Sequence, residues 1–303
     1  MGCRSTQPAH PPFSPAVFAP DGSAIVFSAA KGKTCFLYKA DISSGATHRL
    51  TRATSGCEYD PAFSPDGQQL AFIYASGVGI RGALMIAKAD GTAPRTLVPG
   101  EQDNLQPVFV PHSDQILFLR SGAFEHYSPL VDSSRHKFDL FSADLASGSV
   151  TTLTQQRFYE CSRISVSADG KQIIMSISTY AEGDHFLILP IGEPVSAGQS
   201  LQPRVPNAPR LSSGVYDASW LPDGRSVVFS AASQPPEGNF DYNVYRLDMT
   251  SGSVEQLTRL TGLLDGLSVS ADGTKAVLLR GDVYSILDLN THRLTPVRLR
   301  KPT

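Results

Sequence analysis

The sequence predicts an all-β chain, a six-bladed β-propeller with four antiparallel strands in each blade. Three observations predict it. One short motif recurs six times at near-regular spacing, and large apolar residues stand at fixed offsets from it. Gly (25) and Pro (22) are abundant among the 303 residues without any low-complexity tract, as many short strands joined by tight turns require.

The motif is an apolar or aromatic residue, a spacer, a small residue or proline, then Asp-Gly. It reads VFAPDG at 17–22, AFSPDG at 62–67, VFVPHS at 108–113, SVSADG at 165–170, SWLPDG at 219–224 and SVSADG at 268–273. Aligned on Asp21, Asp66, His112, Asp169, Asp223 and Asp272, the copies stand 45, 46, 57, 54 and 49 residues apart. A four-stranded blade has a period of about 40 to 50 residues. Each copy is a hairpin turn: proline presets φ, Asp accepts from backbone amides, and Gly takes the positive φ.

The flanking columns supply the strands. Six residues past each anchor stand Phe27, Phe72, Phe118, Met175, Phe229 and Leu278; three before it stand Phe18, Phe63, Phe109, Val166, Trp220 and Val269. Such columns fill the interface between stacked sheets. A third strand follows at 36–41, 84–90, 140–145, 186–191, 244–249 and 283–289. A fourth, short one ends in a Leu-Thr-like pair: Leu50-Thr51, Leu97-Val98, Leu153-Thr154, Leu211-Ser212, Leu257-Thr258 and Leu294-Thr295. One such unit cannot bury both its faces, so the units stack radially and close. An open solenoid would need distinct polar caps, and neither end resembles one. The blades are expected at 13–54, 58–99, 104–155, 161–213, 215–259 and 265–297, after a polar, Pro-rich tether at 1–12.

Composition excludes some functions. A formal net charge of −2 gives no basic field to displace counterions from phosphates, so no nucleic-acid partner is expected. The tail cluster Arg298, Arg300 and Lys301 reads as a solvated terminus. No apolar run approaches the ~20 residues of a membrane span. No secretion-signal core opens the chain, which leaves a cytosolic protein or an exported one whose leader is gone.

The repeat resembles the TolB-like, WD-type propeller repeat, in which Pro-x-Phe-Ser-Pro-Asp-Gly opens a unit and Leu-Thr closes it. The nearest copy runs Asp60, Pro61, Ala62, Phe63, Ser64, Pro65, Asp66, Gly67, and the resemblance extends from Pro15 to about Thr295. Units three and four depart from it, with His112-Ser113 in place of Asp-Gly and Arg163 where Asp60 stands. The resemblance implies a six-bladed propeller that serves as a periplasmic protein-binding module or as the accessory domain of a serine peptidase. TolB also has a separate N-terminal α/β domain, and nothing before Pro15 matches one.

A binding site is expected on one face of the ring. Loops from a fourth strand to the next first strand share a face with loops between strands two and three, and this face has the longer segments, 121–137 and 231–243. Long loops over a rigid scaffold carry binding. Candidate binding residues there are Phe124, Glu125, His126, Tyr127, Phe240, Asp241 and Tyr242. Around the channel mouth on the same face are expected Asp60, Gln106, Arg163, Asp217 and Asp265, with Glu58, Tyr59, Asn104, Tyr159, Glu160 and Tyr216 nearby. A ring of acids and tyrosines would take a basic peptide or a cation. The plainer reading is that Asp60 and Asp217 bond loop amides beside their strands. The opposite face has one insertion, 190–209, read as an irregular loop.

No catalytic motif is found. A Gly-x-Ser-x-Gly elbow, a phosphate-cradling Gly loop and His-Glu-x-x-His are all missing from the sequence. No cofactor and no metal are expected; His126, His136 and Glu125 share a segment, but nothing in their spacing fixes a coordination geometry. Arg280-Gly281-Asp282 reads as a tight hairpin between strands two and three.

Of four cysteines, Cys35 opens the third strand of unit one and Cys57 lies in the entry to unit two. They share a face of neighbouring units, so a disulfide fits in an oxidising compartment; buried free thiols are the alternative. The start, MGCRST, fits a myristoylation pattern and also the Gly-Cys of a bacterial lipoprotein, which would put a lipid anchor at Cys3. A chance match to so short a pattern is the simpler account. The expectation is a non-catalytic protein- or peptide-binding scaffold of the bacterial envelope, periplasmic or exported, or cytoplasmic if no leader was removed. The alternative is a peptidase propeller without its catalytic domain, or a metal-dependent lyase-like propeller.

Overall fold

The motif turns form as their residues dictate. Gly67 takes φ of 71°, and Asp66 Oδ1 accepts the Gln68 backbone N–H at 3.0 Å. Ser64 Oγ accepts the Gln69 N–H at 2.9 Å and closes the turn. In the third copy, which lacks Asp-Gly, His112 itself takes the left-handed conformation, at φ 58°.

The computed structural model describes residues 14–32, 34–76, 81–125, 134–179, 183–206, 214–233 and 241–300. Sheet A holds β1 (Val17–Phe18), β2 (Ala24–Lys31), β3 (Thr34–Asp41), β4 (Thr47–Arg49), β5 (Cys57–Phe63), β6 (Gln69–Ala75), β7 (Ala83–Lys88) and β8 (Arg95–Val98). Sheet B holds β9 (Asp103–Phe109), β10 (Gln115–Glu125), β11 (Ser134–Asp144) and β12 (Val150–Thr152). Sheet C holds β13 (Glu160–Val166), β14 (Gln172–Thr179), β15 (Gly183–Pro190) and β16 (Gln199–Leu201). Sheet D holds β17 (Val215–Trp220), β18 (Ser226–Ser233), β19 (Asp241–Asp248) and β20 (Val254–Gln256). Sheet E holds β21 (Gly266–Val269), β22 (Lys275–Arg280), β23 (Val283–Asp288) and β24 (Leu294–Pro296). The chain is an all-β propeller.

The expectation of six separate four-stranded blades is corrected. Four blades, sheets B to E, stand as independent four-stranded antiparallel sheets, while β1 to β8 hydrogen-bond as one eight-stranded sheet. The reason is local. Cys35 and Cys57 pair in parallel across β3 and β5 and are joined by a disulfide, and the Cys35 N–H donates to the Gly56 carbonyl at 3.1 Å. A repeat period counts units along the chain but does not show that two of them share a hydrogen-bonded edge.

Three segment readings are also corrected. The fourth strand of sheet C is β16, inside the insertion read as irregular, and Leu211-Ser212 lies outside the described residues. The described parts of the expected loop 121–137, residues 121–125 and 134–137, are strand, because β10 and β11 stay paired out to Glu125 opposite Ser134. Likewise β18 and β19 stay paired out to Ser233 opposite Asp241. The tetrapeptide around Gly281 is the expected hairpin, with Gly281 at φ 61°.

The column six residues past each anchor is the core: Phe27, Phe72, Phe118, Met175, Phe229 and Leu278 are each at most 2% exposed. Burying each contributes about 1.5–3 kcal/mol. These side chains build apolar clusters between successive sheets, A to B, B to C, C to D and D to E. Sheet E then packs on the start of sheet A through Phe18, Phe27, Tyr38, Val277, Tyr284 and Ile286. The ring therefore closes through side chains. Among the described strands none is exchanged, since β1 pairs with β2 and β24 with β23. The Tyr284 hydroxyl donates to the Ser14 carbonyl at 2.5 Å, and Pro15 lies against Gly266. No helix among the described residues is long and apolar enough to cross a membrane.

Candidate functional site

The innermost strands β5, β9, β13 and β17 share one irregularity. Each has a break in register with its neighbour, between Tyr59 and Ala62, at Gln106, at Arg163 and between Tyr216 and Ser219. Such bulges re-aim a side chain. Asp60, Gln106 and Asp217 take positive φ there, at 52°, 48° and 56°, a conformation that Asp tolerates better than most residues.

The bulges bind the sheets to one another. Asp60 Oδ2 accepts the Gln106 backbone N–H at 2.9 Å, and the Asp217 carboxyl accepts the Leu267 N–H of the next sheet. The Asp217 N–H reaches back to Ser162 Oγ at 3.3 Å. Arg163 Nε lies 3.9 Å from Asp217 Oδ1. Burial lifts the Asp60 carboxyl above the usual range against the Gln106 bond and the charges of Arg135 and Arg163. Burial lifts that of Asp217 to about 6. Of the five residues expected at the channel mouth, Asp60, Gln106, Arg163 and Asp217 stand on the innermost strands β5, β9, β13 and β17, and the two acids act as inter-sheet ties.

Others from the expected ring lie elsewhere. Glu58 is 2% exposed and points away from the channel, its Oε2 accepting the Thr51 hydroxyl and the Leu37 N–H. Asn104 is fully buried. Its Nδ2 donates to the Gly82 carbonyl at 2.8 Å, and its Oδ1 accepts from Arg120 Nε at 3.0 Å. Asp265 accepts the Gly281 N–H at 2.6 Å and caps the β22–β23 hairpin. For Glu58 and Asn104 the strand pleat turns the side chain off the channel face, while Asp265 lies in the loop just ahead of β21. Tyr59 packs between sheets A and B, its hydroxyl buried beside Gly82, and with Asp60, Arg135 and Pro15 it lines a cavity of about 150 Å³.

A second cluster forms where β13, β15, β17 and β19 begin. Glu160 and Asp184 both stand opposite Ser178 of β14, one on either side. Desolvation and the Asp184 charge raise the Glu160 carboxyl, with His136 opposing. The Tyr216 and Tyr242 rings lie 6.0 Å apart. Burial, then these two carboxylates, push both phenols upward. The Tyr159 ring lies 4.7 Å from that of His136. Asp241 Oδ1 accepts the Gly262 N–H at 2.8 Å, and Phe124 is 37% exposed. Glu125 ends β10; His126, Tyr127 and Phe240 lie outside the described residues, as does Cys3.

Sequence reasoning missed Asp184, Arg135 and Asp103. Arg135 Nε bonds Asp103 Oδ2 at 2.8 Å and ties β11 to the start of β9. Reading β11 as strand from Ser134 would have placed Arg135; only the β13–β14–β15 register brings Asp184 to Glu160. Both ring nitrogens of His136 are engaged, by the Tyr159 carbonyl at 3.0 Å and Ser134 Oγ at 2.8 Å. Among the described residues no three His, Cys, Asp or Glu side chains converge to hold a metal ion.

No protein-family model matches the chain, and no curated protein matches it. Solved structures do. TolB from Acinetobacter baumannii is 16% identical with a TM-score of 0.64, the match covering 95% of this chain and 64% of that one. A putative TolB from Agrobacterium tumefaciens is 19% identical with a TM-score of 0.60, covering 86% and 87%. An oligogalacturonate lyase in complex with manganese is 17% identical with a TM-score of 0.59, covering 96% and 79%. This chain thus spans less than two thirds of the first of these. At such identities the likeness is one of architecture: the chain has a TolB-like propeller fold.

Proposed function

We propose that this chain is a non-catalytic protein-binding scaffold whose face bearing the β10–β11 and β18–β19 hairpins takes a basic peptide segment. One observation carries the reading: Glu160 and Asp184 flank Ser178 of β14, and the charges of both act on the Tyr216 and Tyr242 phenols. Burial and the neighbouring Asp184 charge both disfavour ionised Glu160. A lysine or arginine side chain would stabilise ionised Glu160, and the tyrosine faces add cation–π attraction of about 0.5–2 kcal/mol. The inner acids Asp60 and Asp217 serve as ties behind this surface. An exported location is proposed with it, because the Cys35–Cys57 disulfide suits an oxidising compartment.

The test is fluorescence anisotropy with a labelled lysine-rich peptide and a glutamate-rich control. The lysine peptide is expected to bind with an affinity that falls as salt rises. The pair Glu160→Gln and Asp184→Asn is expected to weaken it at least about fivefold, for lost charge complementarity. Equal binding of both peptides, or an unchanged affinity in the double variant, rejects this surface.

A further inference from the structure

A pocket of about 380 Å³ lies against one face of sheet A and shares no residue with the surface proposed above. Its floor is Glu58, Phe72, Tyr74 and Met85. Glu58 stands opposite Tyr74 across β5 and β6, and Phe72 opposite Met85 across β6 and β7; strand alternation puts Phe72 and Tyr74 on one side of the sheet. Thr51 and Arg52, just past β4, and the turn between β7 and β8 wall it in. Glu58 is the one acid among its described lining residues.

One oxygen of this carboxylate is engaged and the other is not. Oε2 accepts the Thr51 hydroxyl and the Leu37 N–H. Oε1 accepts no hydrogen bond from any described residue. Unlike the Tyr59 hydroxyl, which is unpartnered and sealed, Oε1 is open to a water-sized molecule. Glu58 as a whole is 2% exposed, so that opening is narrow, and it leads into the pocket that Glu58 lines. Burial lifts the carboxyl above its usual range against the Thr51 and Leu37 bonds and the Arg49 charge; a cation at Oε1 would oppose that lift. The nearby Arg49 is committed elsewhere, its guanidinium lying 3.6 Å over the Phe36 ring and bonding the Ala53 carbonyl. Arg52 is exposed, where water and salt screen its charge. An ammonium N–H donating to a carboxylate makes a stronger bond than a neutral donor does, and an aromatic ring such as Tyr74 attracts the same charge. A narrow opening admits one N–H of a primary ammonium, whereas a trimethylammonium is bulkier and has no proton to donate. The half-buried Tyr74 and Met85 suit an alkyl chain behind the nitrogen, and the volume sits at the small end of ligand pockets.

We propose that this pocket binds a primary ammonium group on a short alkyl chain, the nitrogen donating to Glu58 Oε1 and the chain lying along Tyr74 and Met85. The site does not depend on the peptide surface proposed above.

The chain has four methionines, so a ¹³C label in their methyl groups gives a simple spectrum. The Met85 resonance, identified by its loss in Met85→Leu, reports the pocket. The protein is titrated at neutral pH with n-butylamine and with Nα-acetyl-lysine N-methylamide, and with n-butanol and n-butyltrimethylammonium as controls. A saturable shift of the Met85 methyl with at least one amine, and a smaller or absent one with both controls, supports the proposal. The amine that shifts it identifies the source, a small free amine or a lysine side chain. Glu58→Gln keeps an acceptor for Thr51 and Leu37 but has no charge, and is expected to weaken binding at least about tenfold, the loss of a charge-assisted bond. The pair Glu160→Gln and Asp184→Asn is expected to leave the shift unchanged. No shift with either amine, an equal shift with either control, unchanged affinity in Glu58→Gln, or loss of the shift in the Glu160 and Asp184 pair overturns it. The wild-type titrations decide even where the Glu58 variant fails to fold.

Discussion

The Gln106 backbone N–H donates to the Asp60 carboxylate at 2.9 Å, so a side chain on the inner strand of sheet A holds the inner strand of sheet B. Both residues occupy bulges with positive φ.

Asp60→Ala removes this acceptor and is expected to destabilise the fold by about 1–3 kcal/mol, the cost of an unmet buried N–H. Asp60→Asn keeps an acceptor and tolerates the left-handed backbone, so it should lose less. Urea unfolding of the three proteins checks the order; equal loss in both variants would show that the bond carries none of it.

Asp217 makes stability depend on pH. Its carboxyl is lifted from 3.8 to about 6, chiefly by burial, so the folded state holds the proton more tightly than the unfolded chain. That contribution is complete below about pH 4 and is lost as pH rises through about 6, on the order of 1–3 kcal/mol in all. Asp217→Asn cannot ionise. Its stability relative to wild type should therefore climb between pH 4 and pH 7, measured by denaturant unfolding at each pH. Parallel stability curves would contradict the assignment.

The Cys35–Cys57 disulfide spans 22 residues, and reducing it is expected to cost about 3 kcal/mol through the freed loop entropy of the unfolded chain. Thermal melts with and without reductant measure the loss. Alkylation of the unreduced, denatured protein followed by mass analysis should leave these two cysteines unmodified; labelling of both removes the prediction.

Gly266 meets Pro15 where sheet E closes on sheet A, and a Cβ there would lie 2.7 Å from the proline ring. Gly266→Ala should destabilise by about 1–3 kcal/mol through overpacking. Gly183→Ala, where a Cβ meets nothing within 4 Å but φ is 69°, controls for backbone strain alone. A Gly266→Ala loss no larger than that of the control would mean the closure accommodates a methyl group.

Much of this molecule can be read along the chain. The anchor turns, the column from Phe27 to Leu278 and the third strands are local patterns, repeated often enough to define a propeller before any contact is known. The inner positions of Asp60, Gln106, Arg163 and Asp217 follow from the same alignment. Facts that depend on which strands lie side by side were out of reach. The shared edge at Cys35 and Cys57 merges two repeats into one sheet. Asp184 is brought beside Glu160 only through the β14 register, and Glu58 and Asn104 stand ahead of the bulges that re-aim Asp60 and Gln106. Local chemistry repeats with the sequence period, whereas the direction of a side chain and the identity of its neighbour are set by packing between segments far apart in the chain.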